Sequence, residues 1–95
     1  MKVNYTTDAF ASLLQLINFI ETKNTAGAGL RWLSKYEVFL QQSLYNPLQR
    51  KICQNQTFKE LNLHCLNYKD WVIAFSIHDK YVLIEALFHK SRITD

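Results

Sequence analysis

The stretch Trp71-Val72-Ile73-Ala74-Phe75-Ser76-Ile77-His78-Asp79-Lys80-Tyr81-Val82-Leu83-Ile84-Glu85-Ala86-Leu87-Phe88 decides the fold. Two runs rich in β-branched and aromatic residues flank a polar triplet, which is the pattern of paired strands. With Asp79-Lys80 as a two-residue turn, His78 pairs with Tyr81 and the register follows from the period of two. One face then carries Trp71, Ile73, Phe75 and Ile77 opposite Phe88, Ala86, Ile84 and Val82. It is wholly apolar and requires a covering layer. The other face carries Val72, Ala74, Ser76 and His78 opposite Leu87, Glu85, Leu83 and Tyr81. Its mixed character marks it as open, and an open half-apolar sheet face is where a partner binds unless the terminal segment covers it.

Working upstream, Glu60, Asn62 and His64 alternate with Leu61, Leu63 and Cys65, which predicts a third, half-buried strand with its polar side on the open face. Residues 48–58 are polar and irregular and read as a loop, with at most a short strand around Ile52. The covering layer lies further upstream. Thr6, Thr7 and Asp8 open a helix: a threonine hydroxyl accepts an orphan amide proton of the first turn, and Asp8 complements the positive end of the dipole. Phe10, Leu13, Leu14, Ile17 and Ile20 follow at helical spacing, widened by Leu16 and Phe19, and Lys23-Asn24 end the helix. A flexible joint, Thr25 to Gly29, leads to a second helix carrying Leu30, Leu33, Val38, Leu40 and Leu44, which Asn46-Pro47 stops. Helices joined this closely run antiparallel. Lys2 to Tyr5 alternates polar and apolar residues and predicts a short first strand.

The expected fold class is therefore α+β, one domain over 1–95, with an N-terminal strand and helical hairpin packed on one face of a C-terminal antiparallel sheet. Hydrophobic residues make up 48% of the 95 residues and aromatics 14%, enough for a core. No apolar run approaches the ~20 residues that span a bilayer, and no signal-peptide pattern is present, so the expectation is a cytoplasmic protein without a membrane partner. Cys53 and Cys65 lack a C-x-x-C pairing and read as reduced thiols. Together with His64, His78 and His89 they give no metal-ligand spacing, and no glycine-rich loop or nucleophile elbow is present. The residues therefore call for no metal and no cofactor. The net charge of +3 mildly favours an acidic partner.

The order strand, helix, helix, three strands resembles the RelE/ParE superfamily of toxins from type II toxin–antitoxin modules. The likeness is carried by Val3-Asn4-Tyr5-Thr6-Thr7-Asp8-Ala9, the helix pair broken at Ala26-Gly27-Ala28, the stop at Asn46-Pro47, and the run from Trp71 to Arg92 with its terminal His89 and basic residue. The resemblance implies a cognate antitoxin as partner, a homodimer or a heterotetramer with that antitoxin as assembly, and DNA gyrase or the ribosome with its mRNA as target. RNA cleavage needs an acid, a base and cations around the phosphate. The cleaving members place cations on the open face where this chain has Trp71-Val72-Ile73 and, on the preceding strand, Glu60, Asn62 and His64; Glu85 adds a negative charge. The resemblance thus points to a ParE-like or cleavage-deficient toxin. The alternative is a ribosome-dependent endoribonuclease with His89 as acid or base, Lys90 and Arg92 on phosphate, and Arg50 and Lys51 as loop cations. A non-toxic interaction module is the third reading. The expected binding residues are Asn62, His64, Ser76, His78, Tyr81 and Glu85 on the open face and Lys90 and Arg92 in the tail.

Overall fold

The computed structural model describes residues 2–47 and 51–92. Strand β1 (Lys2–Tyr5) is followed by helices α1 (Thr7–Lys23) and α2 (Ala28–Ser43), a short helix α3 (Gln56–Glu60), and strands β2 (His64–Tyr68), β3 (Trp71–Ile77) and β4 (Tyr81–His89). The strands form one sheet in the order β1-β4-β3-β2, antiparallel throughout except that β1 runs parallel to β4. The predicted α+β class and the order of its main elements are those of the structure.

Thr6 caps α1 as its sequence position requires: its Oγ1 accepts the amide proton of Ala9 at 3.1 Å. Ala9, Leu13 and Leu16 of α1 and Tyr36, Leu40 and Leu44 of the second helix and its cap meet Ile73, Phe75, Val82, Ile84 and Leu87 of the sheet in the main core. The buried stripe of α2 runs Gly29, Tyr36, Leu40, so Leu30 and Val38 point to solvent although the sequence places them on the apolar face. The aromatic residues of α2 supply the core instead. Trp32 stacks on Tyr36 with ring centroids 5.0 Å apart, and Tyr68 sits edge-on to both. The joint between the helices is pinned rather than loose. The Glu21 carboxylate accepts from the amides of Gly27 at 2.8 Å and Gly29 at 2.9 Å, and Arg31 donates to Ala26 and Thr25.

Three expectations are corrected. First, residues 60–63 are not strand: Asn55 caps α3 by accepting from the Phe58 amide, Asn62 takes a left-handed φ of 58°, and β2 begins only at His64. Second, Cys53 and Cys65 are joined in a disulfide rather than standing as two thiols. The Ile52–His64 bridge brings them together: it pairs the chain before α3 with the start of β2. Third, the hairpin register holds from Ile77↔Val82 to Phe75↔Ile84, and then a bulge makes Ala74 face Ala86. Glu85 is the extra residue. A one-residue offset reverses the side on which every later residue lies. Leu87 therefore joins the helix-side core, and Ala86 and Phe88 turn outward.

Candidate functional site

The bulge also decides where His89 lies. It pairs with Trp71, whose ring it meets edge-on at 5.1 Å, and Trp71 packs against the helix-side core. His89 thus faces α1 rather than the open sheet face, and it lines a cleft of about 300 Å³ with Ser12, Gln15 and Phe19 of α1, Trp71 and Arg92. Arg92 is held there by a turn in which its amide donates to the His89 carbonyl at 3.0 Å. The Ser91 amide donates to His89 Nδ1 at 3.1 Å, and the Ser91 hydroxyl lies 2.8 Å from the same atom. A ring nitrogen that accepts an amide proton carries none itself, so the neutral imidazole keeps its proton on Nε2. Lys90 points elsewhere. Its ammonium pairs with Asp70 at 3.0 Å, and this contact holds the Asp70 carboxyl below its usual range.

The other expected binding residues are divided between places. Ser76, His78, Tyr81 and Glu85 belong to the outer side of the sheet, where Ser76 Oγ is 3.0 Å from His78 Nε2 and the His78 and Tyr81 rings stack at 4.6 Å. Tyr81 and His89 are the two ends of β4, some eight residues or about 25 Å apart. His64 is not on that side: it pairs with Phe75 and stacks on its ring, so it shares the helix-side face at the β2 edge. Asn62 lies exposed in the turn after α3. Lys51 is beside Cys65 at the β2 edge, where its carbonyl accepts the Cys65 amide, two strands away from β4; Arg50 lies outside the described residues. His89 and Arg92 are thus brought together, while Lys51 is not brought to them.

The outer face is less open than its sequence implies. Cys53, Leu63 and Phe58 from the segment 51–63 pack over Ala74 and Ala86, and the Phe58 and Phe88 rings lie 5.4 Å apart. Among the described residues, nothing packs over the half bearing Ser76, His78, Tyr81 and Leu83, with Lys2 and Asn4 from β1.

A second concavity, unmarked by any sequence motif, runs between the helices and β1. It has a volume of about 340 Å³ and is lined by Val3, Tyr5, Phe10, Leu14, Leu33 and Glu37 among others. Phe10 and Leu14 are each 49% exposed there, a high value for side chains of that size. Tyr5, which lines it, places its hydroxyl 3.1 Å from that of the buried Tyr36. Burial raises the pKa of both above the ordinary tyrosine range, so both stay protonated at any physiological pH. Glu37 is the one charged residue among the described residues of this lining. The signal that could have located the groove was the surplus of large apolar residues on α1, which exceed what a single buried stripe uses.

No family model matches the sequence, and no curated protein matches it. Among solved structures, the chain is similar to one of the chromosomal ParDE TA system from P. aeruginosa, with a TM-score of 0.68 and 14% identity over 94% of this chain and 95% of that one. No described helix is long and apolar enough to cross a membrane. The element order, the parallel β1–β4 pairing and this correspondence over nearly the whole length agree: the chain has the fold of a ParE/RelE-type toxin.

Proposed function

We propose that this chain is the toxin component of a type II toxin–antitoxin module, a single unit that acts in the cytoplasm by binding a macromolecular target and is neutralised by an antitoxin. The observation that carries the reading is the exposed apolar groove between α1, α2 and β1 on a ParE/RelE-type fold. Isolated exposed leucines need no explanation, but Phe10 and Leu14 flanking one concavity do, and an amphipathic antitoxin segment laid into it removes them from water. Glu37 sets a condition on that segment: it must offer a cation or a hydrogen-bond donor at that point, because a buried unpaired carboxylate is costly. The protein's net charge of +3 favours acidic residues elsewhere on the same partner.

The target reading we favour is gyrase-type binding without cleavage. The open half of the sheet carries Ser76, His78 and Tyr81, with Glu85 at its margin, and among the described residues Lys2 and the turn's Lys80 are its nearby cations. A nuclease site would require more positive charge around the scissile phosphate. An endoribonuclease built on His89 is the second reading, and the shared cleft of His89 and Arg92 is what favours it. The deciding experiment is viable count after tightly controlled induction in a bacterial host, with and without the neighbouring small gene. A fall in count rescued by the neighbour is the expected result. Undiminished counts at confirmed soluble expression would reject the toxin reading in favour of a non-toxic interaction module.

A further inference from the structure

The sheet carries a separate core on each face. The main core lies between the sheet and the two long helices, and neither cysteine is part of it. The smaller core, on the outer face, is built by Cys53 and Leu63, with Phe58 and Cys65 beside them, over Ala74 and Ala86. Segment 51–63 supplies this cover. Its helix α3 has five residues, buries none of them and is too short to hold its shape alone. The bonds that shape the segment are local: the Lys59 amide donates to Asn55, the Asn62 amide to Lys59 and the Leu63 amide to Phe58. The Cys53–Cys65 disulfide is the covalent tie between this cover and β2. Its two halves differ in access, since Cys53 is 1% exposed whereas Cys65, on the edge strand, is half-buried.

We propose that this disulfide is a redox latch: oxidised, it holds segment 51–63 over one half of the outer sheet face, and reduced by a dithiol it lets that segment lift while the helices and sheet stay folded. The dithiol is the two-electron donor. One of its thiolates attacks Cys65 Sγ, on the more accessible side; the S–S bond breaks, and Cys53 leaves as a thiolate that takes up a proton. The second thiolate of the dithiol then displaces Cys65 from the mixed disulfide, Cys65 is protonated in turn, and the dithiol closes into its own cyclic disulfide. Two electrons and two protons have passed to the protein. With the loop restraint gone, the cover rests on Cys53, Phe58 and Leu63 against two alanines, small side chains that offer little contact, and Phe88. The main core, on the opposite face, is untouched by the lifting. Ala74, Ala86 and Phe88 are thereby uncovered, and Ala74 continues the open half that bears Ser76. The apolar area offered on the outer face thus depends on redox state. The latch is separate from the apolar groove, and the inference stands whether or not the toxin reading holds.

The test uses the intact protein and iodoacetamide, with alkylation read by peptide mass. Protein kept from reductant should show no free thiol. After reduction by dithiothreitol, Cys53 should be alkylated at no less than about one-tenth of its rate in denaturing urea, the behaviour of a group that is open for a sizeable fraction of the time. The near-UV circular dichroism of the Trp32, Tyr36 and Tyr68 cluster in the main core should stay as it was. Cys65→Ser, in which Cys53 is the single thiol, should react as fast without any reductant; if that variant does not fold, the reduced wild-type protein reads the same position. Oxidised glutathione added to the reduced, folded protein should restore the disulfide. Alkylation of Cys53 slower than one-tenth of the urea rate in the reduced, folded protein overturns the proposal and makes the disulfide a passive staple. Loss of the near-UV signal on reduction overturns it too, because the bond is then a condition of the whole fold. Free thiols before reduction, or failure of the folded protein to re-form the bond, likewise reject the latch.

Discussion

The Glu21 carboxylate of α1 receives the amide of Gly29 in the first turn of α2 at 2.9 Å, and the amide of Gly27 at 2.8 Å. One side chain therefore caps the second helix from the first, although α2 has no capping side chain of its own. Gly27 adopts a φ of +84°, and the carboxylate fixes this left-handed entry by holding its N–H.

These amide bonds lower the Glu21 pKa below the ordinary value, chiefly through Gly29 and then Gly27. A lowered folded-state pKa contributes stability above the unfolded value near pH 4.3, and that stability is lost as pH falls through the folded value. Glu21→Gln should lower Tm at pH 7, and the difference from wild type should shrink in acid. A pH series of thermal melts measures it; a difference independent of pH would refute the capping role.

Gly29 has no room for a side chain. A Cβ there would lie 2.9 Å from the Ile17 carbonyl oxygen and 3.0 Å from Ile17 Cγ2. Gly29→Ala, which favours helices elsewhere, should destabilise here by about 1–3 kcal/mol, read from the urea midpoint.

Deleting a residue from the middle of a strand usually inverts everything beyond it. Glu85 is the exception, because it is the unpaired residue of the bulge: without it Ile84 and Ala86 remain on the sides they occupy now. The Glu85 deletion should fold with Leu87 still buried and His89 still paired to Trp71. Near-UV circular dichroism and retained burial of Leu87 check this, whereas a regular register would predict an unfolded protein.

The Cys53–Cys65 disulfide closes a loop with a sequence separation of 12. On loop-closure grounds, its removal by Cys65→Ser or by a dithiol reductant should cost about 2–3 kcal/mol, measured as a fall in denaturant midpoint. The loss should be largest in hydrogen-exchange protection of segment 51–63, which packs over Ala74 and Ala86.

Phe10→Asp acts on a half-exposed side chain and should change stability by less than about 1 kcal/mol. On the proposed reading it should nevertheless abolish rescue by the antitoxin, and Glu37→Lys should weaken the complex through repulsion of the partner's cation. Calorimetry with the co-purified neighbour measures both.

The strands β1 and β3 and the Thr6 cap were legible because each is set by local pattern. The bulge at Glu85 was not, since a strand's alternation gives no sign of which residue drops out of pairing, and the later residues Ala86 to Phe88 are apolar on either side. The same blindness hid the direction of His89 and hence its cleft. Residues 60–63 mimic the start of the strand by alternation, yet Asn55 five residues before Glu60 supplies the cap for a short helix that competes successfully. Reading Cys53 and Cys65 as separate thiols failed because the pairing depends on the Ile52–His64 bridge, a contact invisible to sequence spacing.

The parallel pairing of Lys2–Tyr5 with Tyr81–Ile84 ties the order of synthesis to the completion of the groove. Val3 pairs with Val82 and Tyr5 with Ile84, so both leave the ribosome long before the strand that hydrogen-bonds to them. Contacts of such sequence separation slow folding, and the emerging helical hairpin meanwhile lacks the sheet that buries it. The β1 wall of the groove they line is set only once β4 has been made. A nascent chain therefore has neither the finished groove nor the finished cleft before β4 emerges, so on the proposed reading any harm it does, and any protection a partner gives, begin together after that strand.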